Sequence, residues 1–406
     1  MVNLIKALLQ RISPARYSIG IEITDRAVKL TEVTLRRNRP SAVDKFIIAE
    51  MPEGVVDDGR IKDPLRLIQT IRQAAMHIGA TRKKVHVVLP SAHVMVRFLK
   101  LPDIPVKELQ KVLAFEIKHN IHFPFDQPVY DFMKLEQPGE HAVKWDKLPK
   151  PKSSRISAPA KPAPEAIGLA WEEAAPAKAQ ALFGDMGESS SAEPPQCDVM
   201  LAATPQELID EYREVLHTAG LRAVSMEIKA FSLYRTAFET GQTVRQGTMI
   251  LVDINDRMTD VSIFHQGLLK ITRTVPLDFR ETTGDLVSTA APSPEPGVGS
   301  LFSEFEQPPL PEDTFDQACS DLVAELERIM NFYRYSLNNR DQDIQRIWIT
   351  GDAARLTDIE RVLDDRLIPE VGILKPMTIA STQADFARQF AAIAVPIGLG
   401  LRGAYG

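Results

Sequence analysis

Two stretches of the sequence carry the same pattern and decide the fold. Residues 20–30 read GIEITDRAVKL, and residues 252–267 read VDINDRMTDVSIFHQG. In each stretch an apolar strand carries an acidic residue at its end, a polar turn follows, and a second apolar or alternating segment comes next. The recurrence of strand, turn and strand within one chain predicts an internally duplicated protein.

The pattern around the first stretch is that of an α/β sheet. Residues 17–23 and 28–35 are predicted strands, and a third lies near residues 44–49. Residues 63–78 place apolar side chains at helical spacing and end at Gly79, and residues 85–89 form a short apolar strand. Strands that are followed by a helix and a further strand indicate a mixed α/β sheet.

A compact α+β module interrupts this first half. Residues 94–101 alternate as a strand, residues 106–121 form a helix, and the FPF segment at 123–125 leads into a strand over 129–135. Residues 198–203 and 205–218 supply another strand and helix. We therefore assign residues 94–136 and 197–222 to an inserted subdomain, and residues 17–93 and 223–241 to the first half.

The two remaining parts of the chain differ in composition. Residues 137–196 are dominated by Pro, Ala, Ser, Lys and Glu without a sustained period, which predicts a disordered insertion. Residues 242–406 form the second half, with three strands over 249–275, a flexible stretch over 282–313, a long helix over 314–337, a strand over 344–350, and helices over 356–363 and 386–401.

Bulk composition excludes several classes of protein. The 406 residues are 44% hydrophobic and 25% charged, as in globular proteins, and a net charge of −6 gives no overall attraction for nucleic acid. Cys197 and Cys319 have no second Cys or His at ligand spacing, so we expect a reducing compartment and no zinc site. No run approaches the roughly 20 apolar residues that cross a bilayer. We expect a cytoplasmic protein.

The first residues form a separate amphipathic segment. Residues 1–16 carry an apolar helical stripe with Lys6 and Arg11, but no cleavage site follows, so a secretion signal is not expected. Two interpretations stay open: a helix that binds a membrane surface or partner, and a helix that packs on its own domain.

The paired strand–turn–strand units can hold a nucleotide between them. Backbone N–H groups in such turns bind phosphates, and an acidic residue positions the water around Mg²⁺. A third piece, ITGD at residues 349–352 before a helix, is the glycine turn that such folds place against adenosine. Lys29 contacts a phosphate in one interpretation and lies on the surface in the other. The candidate nucleotide-binding residues are Thr24, Asp25, Arg26, Lys29, Asp253, Asn255, Asp256, Thr259, Asp260, Gly351 and Asp352, and the candidate metal residues, through Mg-ATP, are Glu22 and Asp253.

With these pieces the chain resembles the actin-like (ribonuclease H-like) superfamily and, within it, the type IV pilus assembly proteins of the PilM family. The resemblance rests on residues 20–30, 94–132 with IHFPFDQPVYDF at its end, 252–267, 322–336, 349–356 and 394–403. It implies an α/β, duplicated actin-like fold with an inserted α+β subdomain of the SHS2 type, which this family shares with the cell-division protein FtsA.

The resemblance also implies partners. Proteins of this family are understood to bind, at the cytoplasmic face of the inner membrane, the short cytoplasmic tail of the single-pass membrane protein PilN. The tail would lie in a groove beside the inserted subdomain, although Phe123 and Phe125 could instead be the core of that subdomain. Other components of the pilus inner-membrane platform and self-association are further options. The candidate groove residues are Val96, Phe98, Phe123, Phe125 and Val129.

The turns depart from the family's pattern of Asp-Ile-Gly at both phosphate turns and two or three glycines at the adenosine turn. This chain has EIT at 22–24, DIN at 253–255 and GDA at 351–353. A Cβ narrows a phosphate cradle, and Asp352 adds a negative charge beside an anionic ligand. We therefore expect weak ATP and Mg²⁺ binding, negligible turnover and a scaffold function in a pilus or competence machine.

Two other functions stay open. An actin-like ATPase would need intact glycine turns and a catalytic acid. An FtsA-like filament former would need a C-terminal amphipathic anchor, which residues 401–406 are not expected to provide.

Overall fold

The computed structural model describes residues 16–35, 41–80, 84–135, 195–243, 247–279, 314–337, 339–340 and 342–405. The N-terminal segment up to residue 15, the insertion from 137 to 194 and the stretch over 282–313 carry sequence predictions that lie outside the described residues. The described chain forms two compact units, a larger one of residues 16–96 and 207–405 and a smaller one of residues 97–135 and 195–206.

Single strands and groups of strands are separated by helices along the described chain. The strands are β1 (Arg16–Ile23), β2 (Ala27–Leu35), β3 (Ala42–Glu50), β4 (Val56–Asp57), β5 (Arg60–Ile61), β6 (Lys84–Val88), β7 (Met95–Pro102), β8 (Pro128–Leu135), β9 (Gln196–Pro205), β10 (Arg222–Glu227), β11 (Thr248–Ile254), β12 (Met258–His265), β13 (Leu268–Pro276), β14 (Ile344–Gly351), β15 (Glu370–Ile373) and β16 (Ala380–Ser381). The helices are α1 (Pro64–His77), α2 (Val106–His119), α3 (Gln206–Thr218), α4 (Lys229–Glu239), α5 (Thr314–Asn331), α6 (Leu356–Arg366), α7 (Phe386–Gln389) and α8 (Ala394–Tyr405).

The larger unit contains two sheets that repeat one plan. The first has the strand order β10-β6-β1-β2-β3-β16, with β1, β2 and β3 antiparallel and β6 parallel to β1. The second has the order β13-β12-β11-β14-β15, with β11, β12 and β13 antiparallel and β14 parallel to β11. The predicted duplication is therefore confirmed, because β11, β12 and β14 repeat the pairing of β1, β2 and β6.

Helix α3 packs on the first sheet. Its side chains Leu208, Tyr212 and Leu216 are fully buried in one core with Ile19 of β1 and Leu67 of α1. The sequence analysis placed this helix in the inserted subdomain, whereas residues 207–218 belong to the larger unit. The helical pattern showed which face is apolar, but not which sheet that face covers.

The smaller unit is a three-stranded sheet, in the order β7-β9-β8, with helix α2. Leu109 and Leu113 of α2 are fully buried, and β8 runs antiparallel to β9. The rings of Phe123 and Phe125 lie 5.7 Å apart between their centroids. The Cys197 thiol lies 3.6 Å from the Pro102 carbonyl oxygen, which gives it a structural place in this unit.

Two predicted helices end differently from expectation. The long helix predicted over 314–337 is α-helical to Asn331 and continues as a π-helical turn over Phe332–Ser336. The helix predicted over 386–401 is interrupted by a 3₁₀ turn at Ala391–Ile393, which separates α7 from α8.

Helix α8 approaches its neighbours closely because it carries glycine at the contacts. A Cβ on Gly398 would lie 1.9 Å from the Ser232 carbonyl oxygen of α4. A Cβ on Gly20 of β1 would lie 1.9 Å from the Pro396 carbonyl oxygen. Both neighbours are backbone atoms, which cannot turn aside as a side chain can, so the helix and the strand depend on glycine at these positions.

We expect Gly398→Ala to lower the free energy of unfolding by about 3 kcal/mol, the upper part of the range for overpacked sites. Gly400→Ala in the same helix is the comparison, because its Cβ would meet the Val33 side chain, at 2.6 Å from Cγ2, while the nearest backbone atom, the Ser18 oxygen, is 3.5 Å away, so its loss should be smaller. Equilibrium urea unfolding of both variants measures the difference. Equal losses would show that close approach of α8 to α4 is not the constraint.

Candidate functional site

The two strand–turn–strand units have the same local geometry. Glu22 faces Lys29 across the β1–β2 pair, and Asp253 faces Asp260 across the β11–β12 pair. Each turn is closed by a backbone hydrogen bond, from Thr24 N–H to the Ala27 oxygen at 2.9 Å and from Asn255 N–H to the Met258 oxygen at 3.0 Å. The acidic residues therefore occupy equivalent positions in the two halves.

Two buried lysines lie between these strand ends. The Lys229 ammonium, at the start of α4, is 2.8 Å from an oxygen of Asp253, 2.8 Å from one of Asp260 and 3.4 Å from one of Glu22. The Lys29 ammonium is 2.9 Å from Asp352 and 3.5 Å from Glu22. We call these residues the lysine–carboxylate cluster: Glu22, Lys29, Lys229, Asp253, Asp260 and Asp352.

The electrostatics of the cluster follow from burial and pairing. Burial would lower the pKa of both lysines, but Asp352 and Glu22 raise that of Lys29, and Asp253, Asp260 and Glu22 raise that of Lys229 well above its ordinary value. Both lysines are therefore charged at neutral pH.

The pKa values of two carboxylates in the cluster, Asp253 and Glu22, are shifted in opposite directions. Burial would raise the pKa of Asp253, yet Lys229 and Lys29 outweigh it and lower that pKa, with help from the Asn255 amide, which donates to Asp253 at 2.7 Å. Burial raises the pKa of Glu22 more than the two lysines lower it. Its oxygens make the two ion contacts and no hydrogen bond among the described residues.

One ion pair joins the outer parts of the two turns, and a second joins the later turn to strand β4. Arg26 contacts Asp256 at 3.1 Å, and Arg257 contacts Asp57 at 3.2 Å. Asp25 accepts hydrogen bonds from the N–H groups of Asp58 and Gly59 at 3.0 and 3.1 Å, so it holds the β4–β5 turn. Burial also raises the pKa of the Asp25 and Asp256 carboxyls.

The remaining predicted nucleotide residues take structural positions. Thr24 closes its own turn by exchanging hydrogen bonds with Ala27. Thr259 is fully buried within β12. Gly351 adopts φ +117°, and a Cβ there would lie 2.0 Å from the Ile254 oxygen, so only glycine fits beside β11.

Lys229 is the residue that the sequence analysis missed. It begins a helix whose other buried residues are mostly apolar or small, and the only local signal is a lysine inside the EIKAFSLY run at 227–234. A charged residue in a buried segment needs a partner. Its partners Asp253 and Asp260 lie on strands that follow later in the chain, so local pattern could not identify them.

The space between the two turns is small and acidic. It measures about 80 Å³. Its charged lining comprises the carboxylates of Glu22, Asp25, Asp58, Asp256, Asp260 and Asp352 against the cations of Arg26, Lys229 and Arg257. Carboxylates outnumber cations in this space, which disfavours an anionic ligand.

A larger cavity of about 340 Å³ adjoins it in the same unit. Val96 lines this cavity together with Val94, Ile228 and the β13 residues Thr272 and Thr274. The other predicted groove residues belong to the smaller unit: Phe98 is 39% exposed, Phe123 and Phe125 are partly buried, and Val129 pairs with Thr204.

The two repeated sheets and the cleft between their strand ends define a protein of the actin-like class. The family model of the type IV pilus assembly protein PilM matches residues 20–150 and 183–404. The chain therefore belongs to the PilM family, as the sequence resemblance indicated.

Three solved structures align with this chain. The chain in the PilM-PilN type IV pilus biogenesis complex aligns with a TM-score of 0.67 and 20% identity, over 96% of this chain and 99% of that chain. The ethanolamine utilization protein EutJ from Carboxydothermus hydrogenoformans aligns with a TM-score of 0.40 and 11% identity, over 98% and 92%. A protein with an actin-like ATPase fold from Bacteroides thetaiotaomicron aligns with 0.38 and 9%, over 94% and 95%.

No helix within the described residues combines the length and the apolar composition that crossing a bilayer requires.

The cluster predicts how stability depends on pH. The folded pKa of Asp253 lies below its ordinary 3.8, so its contribution is present above pH 3.8 and is lost as pH falls through the folded pKa. The folded pKa of Lys229 lies above 10.5, so its contribution is present below pH 10.5 and is lost as pH rises through the folded pKa. Urea unfolding at increasing pH should show a decline above pH 10.5 that is shallower in Lys229→Met, and equal slopes would contradict this assignment.

Proposed function

We propose that this protein is a docking scaffold of a type IV pilus or related assembly or competence machine, and that it binds the short cytoplasmic tail of a PilN-like membrane protein. The 340 Å³ cavity beside strand β13 is the observation that carries this proposal. The related complex of PilM with PilN supports the choice of partner. Other components of the inner-membrane platform would assemble around that pair.

The cavity has the features that an extended peptide needs. Strand β13 is an edge strand, and no other described strand pairs with its outer side. Its main chain can therefore offer hydrogen bonds to an added strand, while apolar neighbours select side chains. Those apolar neighbours are Leu89, Val94, Val96, Ile228 and Met258.

The proposal places the protein at the cytoplasmic face of the inner membrane through its partner. A tail-binding protein needs no spanning segment of its own, because the partner supplies the anchor. Phe123 and Phe125 stay candidates for a second contact on the smaller unit, where their rings form a pair.

We propose further that the cleft between the turns is a degenerate nucleotide site without efficient turnover. The candidate acids Asp253, Asp260 and Asp352 are each bound by a lysine, so none of them is placed to orient a water molecule. Residual binding of ATP with Mg²⁺ would be weak, because the small acidic space repels phosphate.

The docking proposal is tested with a labelled synthetic peptide of the cognate PilN-like tail. We expect Val96→Asp to weaken binding at least about tenfold, since about 1.4 kcal/mol corresponds to that factor and a carboxylate in the cavity costs more than this. Val224→Asp is the matched control, because Val224 is 41% exposed on the edge strand β10 and does not line the cavity. Fluorescence anisotropy gives the dissociation constants.

Phe125→Ala is measured in parallel as the test of the smaller unit. Loss of binding in Phe125→Ala alone would move the site from the cavity to that unit. Unchanged binding in both Val96→Asp and Phe125→Ala, in folded variants, would place the partner elsewhere and end this proposal.

The nucleotide proposal is tested by calorimetry with Mg-ATP and by an assay of phosphate release. We expect binding no tighter than millimolar and no release above the protein-free rate, because lysines already pair with the carboxylates that would bind Mg²⁺ and the remaining space is acidic. Micromolar affinity with steady phosphate release would support the actin-like ATPase instead.

A further inference from the structure

The fold of this class implies a divalent cation between the two strand ends, where Glu22 and Asp253 lie. In the structure, the ammonium of Lys229 lies against those carboxylates. The Lys229 ammonium is within 3.4 Å of oxygens of Glu22, Asp253 and Asp260, which are the groups that a cation would use at this place.

A divalent cation does not fit beside this ammonium. Mg²⁺ and Ca²⁺ bind carboxylate oxygens at about 2.0–2.6 Å, which would place the metal next to Lys229 Nζ in the same buried space. The Asp253 oxygen that meets Lys229 also accepts the Asn255 amide at 2.7 Å, so it has no room for a third partner. Two unscreened cations at such a separation repel strongly.

The lysines also link the two sheets, as a cation bound in the cleft would. Lys29 of the first sheet binds Asp352, which follows β14 of the second sheet. Lys229 of α4 binds Asp253 and Asp260 of the second sheet and Glu22 of the first. Each ammonium therefore links the two sheets of the larger unit.

We infer that Lys229, assisted by Lys29, takes the place of the divalent cation in this cleft and joins the two halves without metal. This inference extends the proposed loss of turnover but does not depend on peptide docking, because a peptide in the neighbouring cavity needs no cation. A failure of the peptide experiments leaves it untouched.

The test is a Mn²⁺ titration, with free Mn²⁺ followed by electron paramagnetic resonance. The wild-type chain is expected to show no saturable site at millimolar Mn²⁺. Lys229→Met removes the ammonium that Glu22, Asp253 and Asp260 share and leaves only Lys29 beside Glu22, so it should gain one saturable site with an affinity at least about tenfold above any wild-type binding. Its thermal midpoint should rise with Mn²⁺, while that of the wild type stays unchanged.

Two variants make this result specific. Lys134→Met removes an ammonium that pairs with Asp103 in the smaller unit, and it should gain no Mn²⁺ site. Adding Asp253→Asn to Lys229→Met should remove the gained site, since it removes one of the carboxylates. A folded Lys229→Met chain that gains no site would overturn the inference.

Asp253→Asn in the otherwise unchanged chain decides the question if Lys229→Met does not fold. The inference expects its Mn²⁺ titration to match the wild type, with no saturable site in either. A stoichiometric Mn²⁺ site in the wild type that disappears in Asp253→Asn would show that the metal and not the lysine holds this position.

Discussion

The burial of the Lys229 ammonium is the constraint on which the cleft depends. A charge in a protein interior is tolerated only with partners, and this one also lies at the N-terminus of α4, where the helix dipole disfavours a cation. Three carboxylates from two different sheets offset both effects. The ends of β1, β11 and β12 are therefore held around one atom, and neither sheet can shift without separating an ion pair.

This fixed centre also shapes the neighbouring cavity. Lys229, Met258 and Thr274 line both the acidic space and the larger cavity, so the wall that a peptide would meet is part of the ion-paired body. Thr274 donates to Asp260 at 2.6 Å, which ties strand β13 to the same cluster. A surface that is already ordered loses little entropy on binding, and such preorganisation favours recognition of a flexible tail.

Local pattern was enough to predict most of the fold. The strands predicted at 17–23, 28–35 and 249–254 are β1, β2 and β11, since apolar alternation and polar turns report directly on a sheet with buried faces. The sequence pattern failed to predict features that depend on tertiary contacts. The apolar face of α3 could cover either sheet, and the turn within 386–401 needs close backbone contacts that composition does not show.

The sequence predicted where the candidate site lies but not how its charged side chains pair. The sequence located the two acidic strand ends, but it treated Lys29 as a residue for phosphate or for the surface, whereas Lys29 is only 1% exposed and binds Asp352. Its role depends on a partner more than 300 residues away, which no local rule supplies.

The altered turns and the buried lysines are then two aspects of one arrangement. Glycine in such turns serves a ligand that approaches the backbone, and Thr24 instead uses its hydroxyl to close its own turn. Asn255 uses its amide to hold Asp253. Because each lysine pairs with carboxylates of both halves, we infer that the two halves need no bound ion to stay together.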